Sequence, residues 1–79
     1  MITIKYFGQI ADIIHKSEEQ FALDVTVNSL HSLQKKLEVI YPELRHATYT
    51  LAVNQSITKA DLSLSDHDEI ALLPPFAGG

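Results

Sequence analysis

The chain has 79 residues, 46% of them apolar and 20% charged, with a formal net charge of −4 and no cysteine. That length holds one small domain, whose core supplies only about 3–5 kcal/mol, and it leaves little material for a deep catalytic pocket. Without cysteine there is no disulfide, no thiolate nucleophile and no thiolate metal site, and the six basic residues (Lys5, Lys16, Lys35, Lys36, Arg45 and Lys59) form no stripe that would neutralise nucleic-acid phosphates.

Residues 2–7 alternate as a strand, with Ile2, Ile4 and Tyr6 on one face and Thr3, Lys5 and Phe7 on the other. After Gly8, the residues Ile10, Ile13 and Ile14 recur at helical spacing, and His15-Lys16-Ser17 has the polarity of a turn. Residues 19–25 alternate again, which places Phe21, Leu23 and Val25 on one face.

Thr26 reads as the N-cap of the longest helix. Its apolar stripe is Leu30, Leu33, Leu37 and Ile40, with Val27 one turn earlier. Pro42 disfavours helix at Tyr41 and ends it there. Residues 43–48 read as a loop.

Residues 49–53 form a strand with Tyr49, Leu51 and Val53 on one face, Asn54-Gln55 a tight turn, and residues 56–58 a short return strand. Leu62 and Leu64 sit in a polar connection, and Ser65-Asp66-His67-Asp68 is a turn. Residues 69–73 form the last strand, stopped by Pro74-Pro75, which cannot donate ladder hydrogen bonds. The fold class is therefore α+β: a mixed sheet of four or five strands on one main helix, with a short helix after the first strand. Crossovers of this kind place the first and last strands side by side in the sheet centre.

The chemistry concentrates after the last strand. Residues 1–75 read as the domain and Phe76-Ala77-Gly78-Gly79 as a tail. The prolines stiffen the exit into an extended path. Phe76 is an apolar anchor for a partner, and Ala77, Gly78 and Gly79 are slim enough to thread a narrow channel. A terminal carboxylate is ionised at neutral pH and is a poor electrophile. It must be activated, for instance by adenylation, before it accepts a nucleophile, and Gly79 obstructs that approach least. A terminal Gly-Gly alone is a weak signal, because many chains end in small residues. Its place two residues after a Pro-Pro exit from the last strand points to a carrier.

Strand parity also yields a surface. If Ile2, Ile4, Tyr6, Ile70 and Leu72 face the helix, then Phe7 and Leu73 face outward near the exit, with Ile57 beside them. Exposed apolar patches of this kind mark interfaces. The alternative is that Phe7 packs under the first helix.

Four segments resemble one family. ITIKYFGQIADII resembles the first strand and helix of the small subunits of molybdopterin synthase, which are ubiquitin-like β-grasp sulfur carriers. TVNSLHSLQKKL resembles their central helix, LAVNQSI their strand-turn segment, and DEIALLPPFAGG their terminal motif. Many members carry an Arg near Ala11, a Gly near His15 and a Val near Phe76, and this chain departs from them at all three.

The resemblance implies that an adenylating enzyme of the ubiquitin-activating type joins Gly79 to AMP, using ATP and magnesium. A persulfide donor then leaves a Gly79 thiocarboxylate. The tail residues Phe76, Ala77 and Gly78 would thread the large synthase subunit, whose active site passes the sulfur to cyclic pyranopterin monophosphate. Phe7, Ile57, Leu73, Pro74 and Pro75 would dock on that partner, in an expected heterotetramer. Catalytic side chains would belong to the partners, and this chain would bind no metal or cofactor itself.

The four histidines lack metal-type spacing, and Asp66, Asp68 and Glu69 read as a solvated turn. No apolar segment has the length of a signal peptide or approaches about 18 residues, so a soluble cytoplasmic protein is expected, without nucleic-acid or membrane partners. Competing readings are a carrier for thiamine or cysteine synthesis, a ubiquitin-like protein modifier, and a plain interaction domain. The helix at Ile10–Ile14 and the Pro-Pro exit argue against the thiamine carriers.

Overall fold

The computed structural model describes residues 1–75. In chain order the elements are β1 (Ile2–Tyr6), α1 (Gly8–Ile14), β2 (Glu18–Phe21), α2 (Leu30–Ile40), a 3-10 turn (Pro42–His46), β3 (Thr50–Val53), β4 (Ser56–Ile57) and β5 (Glu69–Leu73). The strands form one mixed sheet in the order β2-β1-β5-β3-β4. β1 and β5 run parallel near its centre, and the other pairings are antiparallel. This is the β-grasp arrangement.

The period-two pattern of β1 and β5 decides which sheet face is dry. Ile2, Ile4, Ile70 and Leu72 are fully buried, Tyr6 nearly so, and all join Leu30, Leu33 and Leu37 of α2 in one core. Burying each of these aliphatic side chains contributes about 1.5–3 kcal/mol. Leu51 and Val53 pack against the same core from β3, Tyr49 from just before it, and Phe21 and Leu23 from the β2 side.

Four expectations need correction. The helix cap is Ser29, not Thr26. Asp24 captures the Thr26 hydroxyl (2.6 Å) and the backbone N–H groups of Thr26 and Val27, closing a turn before the helix starts. Ser29 and Ser32 then form a reciprocal capping box. Val25 leaves the strand pattern and is 92% exposed, because β2 ends at Phe21 and the Asp24 turn swings Val25 outward.

Ile40 is 41% exposed. Tyr41, four residues after Leu37, packs against the core at that end of the helix instead. The segment after Pro42 is a 3-10 turn rather than an open loop, and it inserts Leu44 into the core at 1% exposure.

The connection from β4 to β5 is held by backbone bonds to the start of α2: Leu30 N–H to Leu62 O and Leu64 N–H to Asn28 O. These bonds bury Leu64 and leave Leu62 at the surface. Asn54-Gln55 turns with both residues at positive φ, as the type I′ form of a two-residue hairpin requires. No helix among the described residues is long and apolar enough to cross a membrane.

Candidate functional site

The sheet face opposite α2 carries no helix among the described elements, and one row of side chains crosses it on all five strands. The register places Glu18, Lys5, Ala71, Ala52 and Ile57 side by side. Ala71 and Ala52 are short, so they make a low floor, while Ile57 stands up at one end. Phe7 and Leu73, just beyond this row toward the exit of β5, complete a shallow groove of about 400 Å³ with Lys5, Gln55 and Glu69 at its margin.

Backbone pairing explains why Phe7 stands there. Tyr6 is the register partner of Leu72, and the Phe7 N–H donates to Leu72 O at 3.1 Å, one position past the end of β1. The alternation therefore carries Phe7 to the open face next to Leu73. Phe7 is 44% exposed and Ile57 52%. Phe7 does not pack under α1.

Lys5 Nζ lies 3.2 Å from Glu69 Oε1 across the two central strands. Both side chains are more than a third exposed, so the pair adds at most about 1 kcal/mol of stability. Its consequence is positional: one cation and one anion flank the apolar groove.

The end of β1 that presents Phe7 is anchored from behind. Tyr6 and Tyr41 donate to the same Glu19 oxygen at 2.7 and 2.8 Å, and Lys16 Nζ donates to the other at 3.1 Å. Burial, followed by the Glu19 carboxylate beside it, pushes the Tyr6 hydroxyl far above the ordinary phenol value. Burial alone would raise the Glu19 carboxyl, but the hydrogen bonds from Tyr6, Tyr41 and Lys16 outweigh it and hold the group below its usual value. Among the described residues, every buried side-chain polar atom has a partner.

β5 ends at Leu73 and is followed by Pro74, half-buried, and Pro75, exposed. Pro74 packs against Gly8, and Pro75 borders a cleft between α1 (Gln9, Ile13) and the Glu43–Thr48 segment. The chain thus leaves the sheet beside the Phe7–Leu73 end of the groove. Phe76, Ala77, Gly78 and Gly79, the residues expected to carry the chemistry, lie outside the described residues. Of the expected docking residues, Phe7, Ile57 and Leu73 line one groove, Pro74 packs against Gly8 beside it, and Pro75 turns toward the α1 side.

Sequence reasoning missed the Gly8–Pro74 contact and the two-alanine floor. A glycine directly after a strand was the available signal for the first. For the second, no local signal exists, because Ala52 and Ala71 meet only through the pairing of β3 with β5. No group of three or more His, Cys, Asp or Glu residues suited to hold a metal ion occurs among the described residues.

The ThiS family matches residues 4–79, so the chain belongs to that family. It is 31% identical to the molybdopterin synthase sulfur carrier subunit of Dictyostelium discoideum, over 96% of this chain and 93% of that protein. To the subunit of the same name from Escherichia coli it is 30% identical, with both chains covered in full. A putative molybdopterin converting factor subunit 1 from Pyrococcus furiosus has the same fold, with a TM-score of 0.83, 19% identity, and coverage of 95% of this chain and 97% of that one. A chain in a complex of subunits 1 and 2 of the molybdopterin-converting factor from Helicobacter pylori superposes with a TM-score of 0.71 and 25% identity, covering 99% of this chain and 97% of that one.

Proposed function

We propose that this member of the ThiS family is a sulfur carrier in molybdenum cofactor synthesis, with the sulfur held on Gly79 and a large synthase subunit docked over the Phe7–Leu73 groove. The observation that carries the reading is the exposed apolar groove at the exit of β5, in a chain that aligns from end to end with sulfur carrier subunits. The likeness to one chain of a two-subunit converting factor supports a large-subunit partner.

The chemistry follows from the carboxylate. An adenylating partner of the ubiquitin-activating type, holding ATP and magnesium, makes the Gly79 acyl-adenylate and releases pyrophosphate. A persulfide attacks the acyl carbon and expels AMP. A thiol then cleaves the acyl disulfide, which leaves the Gly79 thiocarboxylate. Within the large subunit, that sulfur goes to cyclic pyranopterin monophosphate. Hydrolysis of the resulting thioester returns the carboxylate.

This chain supplies the carried atom and the docking surface, and the partners supply ATP, metal and catalytic side chains. Phe76, Ala77 and Gly78 form the segment that passes through the partner's channel, with Phe76 as its apolar anchor and Ala77 and Gly78 as its slim part. A carrier role in thiamine or cysteine synthesis, or attachment to protein lysines, would share the adenylate and diverge after it.

The test is intact-mass measurement of the chain from its native host, and of the purified chain after incubation with an activating enzyme, ATP and a sulfur source. Replacement of one oxygen by sulfur at Gly79 is expected in both. A chain that stays unmodified in the complete reaction sinks the carrier reading.

A further inference from the structure

Gly8 occupies the corner between β1 and α1, with φ at +56, in the left-handed region that L side chains rarely adopt. A second constraint acts on the same residue. A Cβ placed there would lie 3.0 Å from Pro74 Cγ, 3.6 Å from its Cδ and 3.8 Å from its Cβ. The proline ring is seated in the space that a side chain would fill.

The corner is held on both sides. Phe7 N–H bonds to Leu72 O of β5, and Ile10 N–H bonds to Phe7 O at 3.1 Å. It does not readily yield to a displaced ring. Pro74, in turn, is the first residue after β5, and its ring fixes its own φ, so the ring's seat sets the heading of the chain as it leaves the sheet.

We infer that Gly8 is a positioning residue for sulfur delivery: by leaving room for the Pro74 ring, it aims the exit of the chain relative to the docking groove that begins at the adjacent Phe7. The inference rests on the carrier reading above. A side chain at residue 8 makes the Pro74 ring give by a few tenths of an ångström and so turns the exit, while Phe7, Ile57 and Leu73 remain available to the partner. Docking and aiming are thus separable functions of two neighbouring residues.

The experiment uses the full chain, thiocarboxylated at Gly79, with the large synthase subunit and cyclic pyranopterin monophosphate in single turnover. Gly8→Ala is expected to leave affinity for the large subunit within about twofold and to slow transfer at saturation by about tenfold or more, since small misplacements of reacting groups have effects of that order. In a Pro74→Ala background the Cγ and Cδ atoms are gone. There Gly8→Ala should slow transfer by less than about twofold relative to Pro74→Ala alone.

Equal proportional losses in both backgrounds overturn the proposal, because they assign the effect to backbone strain. Gly8→Asn, which tolerates positive φ better but carries the same Cβ, must repeat the pattern. Should the variants fail to fold, an NMR cross-peak between the Gly8 α-protons and the Pro74 ring of the wild-type chain is required, and its absence overturns the proposal. A wild-type thiocarboxylate that transfers no sulfur overturns the carrier reading itself, and the role of Gly8 with it.

Discussion

The amide of Phe7 donates to the carbonyl of Leu72 at 3.1 Å, one residue beyond the last residue of β1. That single bond extends the parallel pairing and sets Phe7 beside Leu73 on the open face. The interface proposed for the large subunit rests on it.

Phe7→Ser and Leu73→Ser are therefore expected to lower affinity for the large subunit, each by about 1–3 kcal/mol, as truncation of interface anchors does. Both variants should keep the fold, because Phe7 is 44% exposed and Leu73, partly exposed, lies outside the buried core. Calorimetric titration against the large subunit, alongside circular dichroism of each variant, checks this. Global unfolding of both would make them core residues instead.

Deletion of Gly79 should leave the unfolding midpoint in urea unchanged, since the core lies within residues 2–72. Sulfur transfer should vanish. Synthase activity retained by the shortened chain would end the proposed mechanism.

His15 ends α1 at φ 65, a left-handed C-cap that favours glycine. His15→Gly should stabilise the chain by about 1 kcal/mol, the approximate left-handed penalty of a residue with a Cβ. Urea denaturation measures it, and a destabilised variant would contradict the argument.

Glu19 joins β2 to Tyr6 of β1 and to Tyr41 at the end of α2. Glu19→Ala leaves the buried Tyr6 hydroxyl without its acceptor and should cost about 1–3 kcal/mol. The folded carboxyl titrates below its ordinary value, so the stability it contributes is fully present above the unfolded pKa, about 4.3, and is lost as pH falls through the lower, folded one. Stability measured from pH 6 downward should thus fall in that acid window for the wild type, and less steeply for Glu19→Gln. Identical slopes would remove Glu19 from the acid response.

Ser29→Ala removes one half of the capping box and should destabilise the chain by about 1 kcal/mol, whereas Thr26→Ala leaves that box intact. The two substitutions compared by thermal melts distinguish the true cap from the residue that merely resembles one.

The sequence by itself determined whatever depends on neighbours along the chain. Period-two alternation settled which face of β1 and β5 is dry, because successive side chains in a strand must point to opposite sides. Pro42 ended α2, Asn54-Gln55 made the hairpin turn, and Pro74-Pro75 stopped β5, since each acts through its own backbone torsions or missing donor. The outward placement of Phe7 and Leu73 was legible for the same reason, and so was the family.

Only the tertiary structure decided the rest. Thr26 and Ser29 are both acceptable caps in isolation; the local Asp24 turn takes the Thr26 hydroxyl, and the long-range backbone bonds of Leu30 to Leu62 and of Leu64 to Asn28 hold the helix start at Ser29. Ile40 and Leu44 exchanged places because Tyr41 reaches the core from the end of α2 and the 3-10 turn folds Leu44 beneath it. The alanine floor and the Pro74 ring against Gly8 join residues far apart in sequence, and they exist only because β5 lies between β1 and β3. Local torsions and periodicity are encoded residue by residue; contacts between strands arise only when the whole sheet closes on its core.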